Sequence, residues 1–98
     1  MKLEIADKEL EEAYRSSTYS GRYSAAILSA YRKRLGFISQ AVDERDFRGM
    51  RSLNFEKLKG SRSHQYSMRL NKQFRLILEL KGDGPGKTVK IMGIEDYH

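Results

Sequence analysis

The run Gln65-Tyr66-Ser67-Met68-Arg69-Leu70-Asn71-Lys72-Gln73-Phe74-Arg75-Leu76-Ile77-Leu78-Glu79-Leu80 sets the architecture of this 98-residue chain. Strict alternation puts Tyr66, Met68 and Leu70 on one face, with Ser67 and Arg69 opposite. In the second half of the run, Phe74, Leu76, Leu78 and Leu80 share a face, with Arg75, Ile77 and Glu79 opposite. Residues paired across an antiparallel ladder share a face, so the two apolar sets meet only if the connecting turn is odd-numbered. A three-residue turn at Asn71-Lys72-Gln73 does this, pairing Leu70 with Phe74 and Arg69 with Arg75. One face of the hairpin then builds a core, and the other sets two guanidiniums side by side. They repel one another in water, and an anion between them would relieve the repulsion. Arg75 should project rigidly toward solvent beside Arg69.

Working outward, residues 2–6 alternate as a short strand with Leu3 and Ile5 on one face. Asp7 can cap a helix over 8–16, whose acidic residues fall in the first turns where the helix dipole favours them. A polar connection covers 16–21. Apolar groups then recur over 22–42 at Tyr23, Ala26/Ile27, Ala30/Tyr31, Leu35, Ile38 and Ala41/Val42, which predicts a second helix. Gly36 costs that helix on the order of 1 kcal/mol, which points to a packing accommodation or a slight bend. The charged stretch 43–50 reads as a turn or short helix. After a Gly-rich loop over 81–87, residues 88–95 make a last strand that is apolar on both faces (Val89, Ile91, Met92, Ile94) and therefore central. The expected fold is α+β: two N-terminal helices packed on one face of a small, mostly antiparallel sheet, with a basic face opposite. At this length, residues 1–98 should form a single domain.

Composition narrows the function. Hydrophobic residues make up 39% and charged residues 33%, which suits a soluble globule rather than a disordered tail. No apolar run approaches the roughly 18–20 residues of a membrane helix, and no apolar stretch follows Met1-Lys2 as in a secretory signal. A cytoplasmic location with no membrane partner is the expectation. The absence of cysteine removes disulfides, a thiol nucleophile and Cys-based zinc sites. With only His64 and His98, neither a metal nor another cofactor is expected. The net charge of +6 is concentrated. Residues 51–75 carry Arg51, Lys57, Lys59, Arg62, Arg69, Lys72 and Arg75 against Glu56 alone, a local +6 equal to the whole excess. Such a surface attracts nucleic acid or an acidic protein.

Two motifs mislead. Gly86-Lys87-Thr88 resembles the end of a phosphate-binding loop, but Lys81 stands where that motif needs a glycine, and 89–94 is strand-like where it needs a helix. Arg32-Lys33-Arg34 reads as the solvated face of an amphipathic helix. The terminal Glu95-Asp96-Tyr97-His98 carries more: a carboxylate, a phenol and a side chain that titrates near neutral pH, extending a central strand. RNA cleavage through the 2′-hydroxyl needs a proton acceptor, cations on the phosphate and a proton donor for the leaving oxygen. Arg69, Arg75 and Lys59 with this tail supply those types without metal.

Phe55-Glu56-Lys57-Leu58-Lys59-Gly60, Tyr66-Ser67-Met68-Arg69-Leu70-Asn71, Phe74-Arg75-Leu76 and Glu95-Asp96-Tyr97-His98 together resemble the HigB branch of the RelE-type toxins. The resemblance covers the second half of the chain well and the first half only in layout. It implies a RelE-like fold and a ribosome-dependent endoribonuclease acting on mRNA, paired with a HigA-type helix-turn-helix antitoxin. Carried over by position, Arg75 is implied to stabilise the phosphate in the transition state, Lys59 is the basic residue of the Leu-Lys-Gly block, and Asp96, Tyr97 and His98 form the acid/base tail. Arg51, Lys57, Arg62, Arg69 and Lys72 are the expected RNA contacts. Better-known members read Leu-His-Pro-Leu-Lys-Gly, whereas Glu56 and Lys57 stand at the histidine and proline positions here. Glu56 could substitute as proton acceptor or pair with a neighbouring cation; His64 reads as a surface-loop histidine. The same scaffold is implied to carry ParE-type gyrase poisons, and a binding module without cleavage is a third reading.

Overall fold

In the computed structural model, which describes residues 1–19, 21–82 and 86–97, the chain begins with strand β1 (Lys2–Ile5) and helices α1 (Lys8–Arg15) and α2 (Ala25–Gln40). A short helix α3 (Arg45–Gly49) precedes strands β2 (Glu56–Lys57), β3 (Tyr66–Arg69), β4 (Phe74–Lys81) and β5 (Thr88–Asp96). Short 3-10 turns at Arg51–Leu53 and Gly60–Arg62 flank β2. The sheet order is β1-β5-β4-β3-β2, with β1 parallel to β5 and the other neighbours antiparallel. The α+β architecture and the interior place of β5 match the sequence expectation. Gly86-Lys87-Thr88 leads into β5 and not into a helix.

The helices begin and end for local reasons. Asp7 caps α1, its Oδ1 accepting from the Leu10 N–H at 3.0 Å, and Glu9 and Glu11 occupy the first turn. At the other end of α1, Arg32 of α2 donates through Nε to the Ala13 carbonyl at 2.8 Å and through Nη2 to the Ser16 carbonyl at 3.0 Å. A cation thus meets carbonyls that the end of a helix leaves without partners. The basic run of α2 is therefore solvated only at Lys33: Arg32 is bonded to α1, and Arg34 is partly buried. The second helix is shorter than the periodicity suggests because Ser24 caps it, accepting from the Ile27 N–H at 3.2 Å. Tyr23 precedes it and Val42, past its end, is 69% exposed. Leu28 joins Ile27, Tyr31, Leu35 and Ile38 on the buried stripe, in place of the expected Ala26. Tyr31 donates its hydroxyl to the Leu10 carbonyl at 2.9 Å, joining the helices, and burial raises the phenol above its ordinary pKa.

Helix residues Leu10, Tyr31, Leu35 and Ile38 bury against Met68, Leu76, Leu78, Val89 and Ile91 of the sheet. The hairpin register is the one its odd turn requires: Met68 pairs with Leu76 and Arg69 with Arg75. Strand β5 holds a feature that its apolar pattern hid. The ladder steps from Ile77 opposite Gly93 to Leu78 opposite Ile91, leaving Met92 as the extra residue of a bulge. That single residue changes the parity of everything after it. Ile94 falls opposite Leu76 on the core face, and Glu95 falls opposite Arg75 on the other.

Of the two expectations for Gly36, a packing accommodation or a slight bend, the first is not met, since a Cβ built there meets nothing within 4 Å. Gly36→Ala should therefore raise unfolding stability by about 0.5–1 kcal/mol, through helix propensity alone. Urea denaturation should show a higher midpoint with an unchanged slope; a lower midpoint would contradict the open space at this position.

Candidate functional site

On the sheet face away from the helices, one cross-strand row reads Arg69, Arg75, Glu95. The chain thus supplies an anion beside Arg75, on the strand away from Arg69 and not between the two arginines. The Glu95 carboxylate accepts from Arg62 Nη2 at 2.7 Å and Nη1 at 3.0 Å, a two-pronged contact, and lies 3.6 Å from Arg75 Nη2. Hydrogen bonding from Arg62 holds the Glu95 carboxyl below its ordinary pKa, with lesser help from Arg75. Arg75 is not the solvent-facing residue expected: its side chain is 22% exposed, and its guanidinium carbon sits 5.6 Å from the centre of the Tyr97 ring. Its Nε is buried with no hydrogen-bond acceptor among the described residues. Arg69 is exposed and donates through Nε to the Asn71 carbonyl at 3.2 Å.

Arg75 opens into a cleft of about 330 Å³ lined by Glu56, Lys57, Leu58, Lys59, Arg62 and itself. The far wall is held by aromatic side chains. Phe47 of α3 contacts Phe37 of α2 at 6.0 Å and Phe55 at 5.3 Å, and Phe55 stacks on Tyr66 of β3 at 5.1 Å between ring centres. Phe55 directly precedes β2, so these rings fix where Glu56 and Lys57 stand beside β3. Gly60 takes φ +67°, and this left-handed residue turns the chain so that Lys59 and Arg62 line one space. The turn is fastened across the face: Arg62 Nε donates to Gln65 Oε1 at 3.0 Å, and Gln65 Nε2 donates to Glu79 Oε2 at 3.2 Å. Ser67 and Ile77, paired on this face, are 2% and 1% exposed, so it is not a bare sheet surface.

Of the residues singled out from sequence, the fold gathers Arg75, Lys59, Lys57, Arg62 and Glu56 at the cleft and sets Tyr97 beside Arg75. Asp96 is a correction: it pairs with Phe74, so strand alternation turns it to the opposite face from Glu95, and it accepts from Gln73 Nε2 at 2.9 Å. His98 lies outside the described residues. Lys72 sits in the β3–β4 turn and Arg51 in the 3-10 turn before β2; with Arg69, they are exposed and do not line the cleft. His64 is exposed and lies 3.7 Å from Glu79. Sequence reasoning missed Glu95, the carboxylate at the β5 end of the row; reading Met92 as a bulge would have revealed it. Among the described residues, no three of His, Asp and Glu gather to hold a metal ion.

Because folded Glu95 has a lowered pKa, its ion pairing contributes stability above the ordinary value of 4.5 and loses it as pH falls through the folded value. The wild-type protein should therefore be more stable than Glu95→Gln near neutral pH, and the gap should close on acidification. Urea melts across that range would show it; a gap that persists in acid would show that charge is not its source.

A family model described as "RelE-like toxin of type II toxin-antitoxin system HigB" matches residues 3–93. The chain is 34% identical to Toxin HigB-1 of Vibrio cholerae serotype O1 over 79 residues, 81% of this chain and 83% of that protein. Its fold is similar to that of a YoeB/ParE toxin from Agrobacterium tumefaciens, with a TM-score of 0.61 at 15% identity over 100% of both chains. A charged cleft on a RelE-like scaffold, a family match across nearly the whole sequence and a one-third-identical toxin agree: the chain belongs to the HigB family of RelE-like toxins from type II toxin–antitoxin systems, and so has an antitoxin as its partner.

Proposed function

We propose that residues 1–98 act as one toxin domain that cleaves translated mRNA on the ribosome by metal-independent acid/base chemistry, in the cytoplasm, and that a HigA-type helix-turn-helix antitoxin restrains it. The observation that carries this reading is the Arg75 guanidinium, walled into a cationic cleft with a desolvated Nε that lacks an acceptor. A buried donor without a partner costs about 1–3 kcal/mol, which a phosphate oxygen admitted to Nε would remove. Arg75 and Lys59 then face the non-bridging oxygens, whose charge grows as the 2′-oxygen attacks phosphorus and the 5′-oxygen leaves. Glu56, on the cleft wall in place of the family histidine, takes the 2′-hydroxyl proton. The tail, through Tyr97 and His98, returns a proton to the departing oxygen, and the product is a 2′,3′-cyclic phosphate. The ribosome supplies the in-line alignment of the message that an open cleft of this size does not impose.

Arg75→Ala should lower single-turnover cleavage of ribosome-bound mRNA by about 10²–10³-fold, the loss for one preorganised donor. Arg75→Lys should recover only part of it, because an ammonium makes one contact where a guanidinium makes two. Losing the Tyr97 and Glu95 contacts should cost about 0.5–1 kcal/mol in stability, so thermal melts must show both variants folded. A folded Arg75→Ala protein with full activity would remove Arg75 from the site.

Expression without antitoxin should stop growth and deplete full-length messages, and purified protein should cut ribosome-free RNA poorly. Intact transcripts with failing DNA supercoiling would replace this reading with a ParE-like gyrase poison. Ribosome binding without any cut would replace it with a non-cleaving module.

A further inference from the structure

The sequence places Arg62 among the RNA contacts, yet the structure gives its guanidinium to the protein. Both Nη atoms are engaged by Glu95 and its Nε by Gln65, so each of its three nitrogens has an acceptor within the chain. Arg75 is the reverse: Nη2 lies 3.6 Å from the same carboxylate, and Nε has no acceptor. The single carboxylate therefore takes one donor from each Nη of Arg62 and lies only within ion-pair distance of Arg75. Three arginines converge on this face, and Glu95 is the one carboxylate within 4 Å of two of them among the described residues.

We propose that Glu95 is a positioning residue that clamps Arg62 as a wall of the cleft and holds the Arg75 guanidinium beside Tyr97, leaving Arg75 to bind the phosphate. This rests on the ribonuclease reading and assigns a part to two residues that lie outside the chemical step. The clamp also ties the 3-10 turn at Gly60–Arg62, which carries one cleft-lining arginine, to the end of β5. Without the carboxylate, Arg62 and Arg75 repel, and the turn that carries Lys59 loses its anchor. Arg62 then matters to the rate through geometry and not through contact with RNA.

The test uses the full chain in two experiments. In single-turnover cleavage of ribosome-bound mRNA, Glu95→Gln and Arg62→Ala should each lower the maximal rate by about tenfold, the scale of a misplaced contact, with half-saturation unchanged. Glu95→Gln/Arg62→Ala should be no slower than the slower single variant, because both remove one clamp. In arginine Nε–H spectra, inorganic phosphate should move the Arg75 signal and leave that of Arg62 in place, while Glu95→Gln should move Arg62. Multiplicative losses in the double variant, or a phosphate-induced shift of Arg62 equal to that of Arg75, would overturn the clamp and restore Arg62 as a direct ligand. The spectra also report folding and need no activity. A wild-type protein that does not cut ribosome-bound mRNA therefore refutes the ribonuclease reading, while the spectra still decide the clamp.

Discussion

The parity set by one turn and one bulge governs this molecule. The three-residue turn between β3 and β4 puts Arg69 beside Arg75, and the extra residue Met92 in β5 puts Glu95 into the same row. Each device shifts a strand by one residue, and a one-residue shift exchanges the two faces of a strand. Without the bulge, Glu95 would point into the helix-covered core, where an unpaired carboxylate costs several kcal/mol, and Ile94 would leave it. Core and cleft are thus set by the same register. A substitution that disturbed it would damage both at once.

Electrostatics explains why the site can exist in the free protein. Two guanidiniums that both approach one carboxylate within 4 Å repel by on the order of 1–3 kcal/mol at effective dielectric constants between those of water and a protein surface. On this face the single charge of Glu95 is shared, closely hydrogen-bonded to Arg62 and at 3.6 Å from Arg75, so the pair of guanidiniums keeps a net positive charge. Exposure of 39% for Arg62 and 41% for Glu95 keeps the pair among the modest ion pairs, so its value lies in geometry more than in stability. What remains is a cationic cleft with one guanidinium incompletely satisfied, which suits a ligand bearing a single compact negative charge at its centre.

The sequence made the hairpin register, the Asp7 cap and the interior place of β5 legible, because each follows from alternation or from residues a few positions apart. Other features depend on contacts that no local pattern carries. Arg32 reads as solvated until α1 is packed beside α2, when it becomes the partner of Ala13 and Ser16 carbonyls. Strand β2 is two residues long, too short for alternation to register, and its position comes from Phe55 stacking on Tyr66. Glu95 was hidden for a subtler reason: a strand apolar on both faces suggests double burial, whereas here part of that pattern is a parity change at Met92. The candidate cations were visible as residue types, but which of them face the cleft was not. Arg75, Lys57 and Lys59 do so with donors to offer, Arg62 does so already bonded, and Arg69, Lys72 and Arg51 lie outside its lining.

The central claim is that this cleft cuts RNA through the 2′-hydroxyl. The most direct measurement is the chemical identity of the new 3′ ends on message fragments released from ribosomes incubated with the purified toxin, read by mass spectrometry. The account predicts a 2′,3′-cyclic phosphate, with a free 5′-hydroxyl on the downstream fragment. Fragments ending in a 3′-hydroxyl, with the phosphate retained on the 5′ side of the downstream piece, would contradict it.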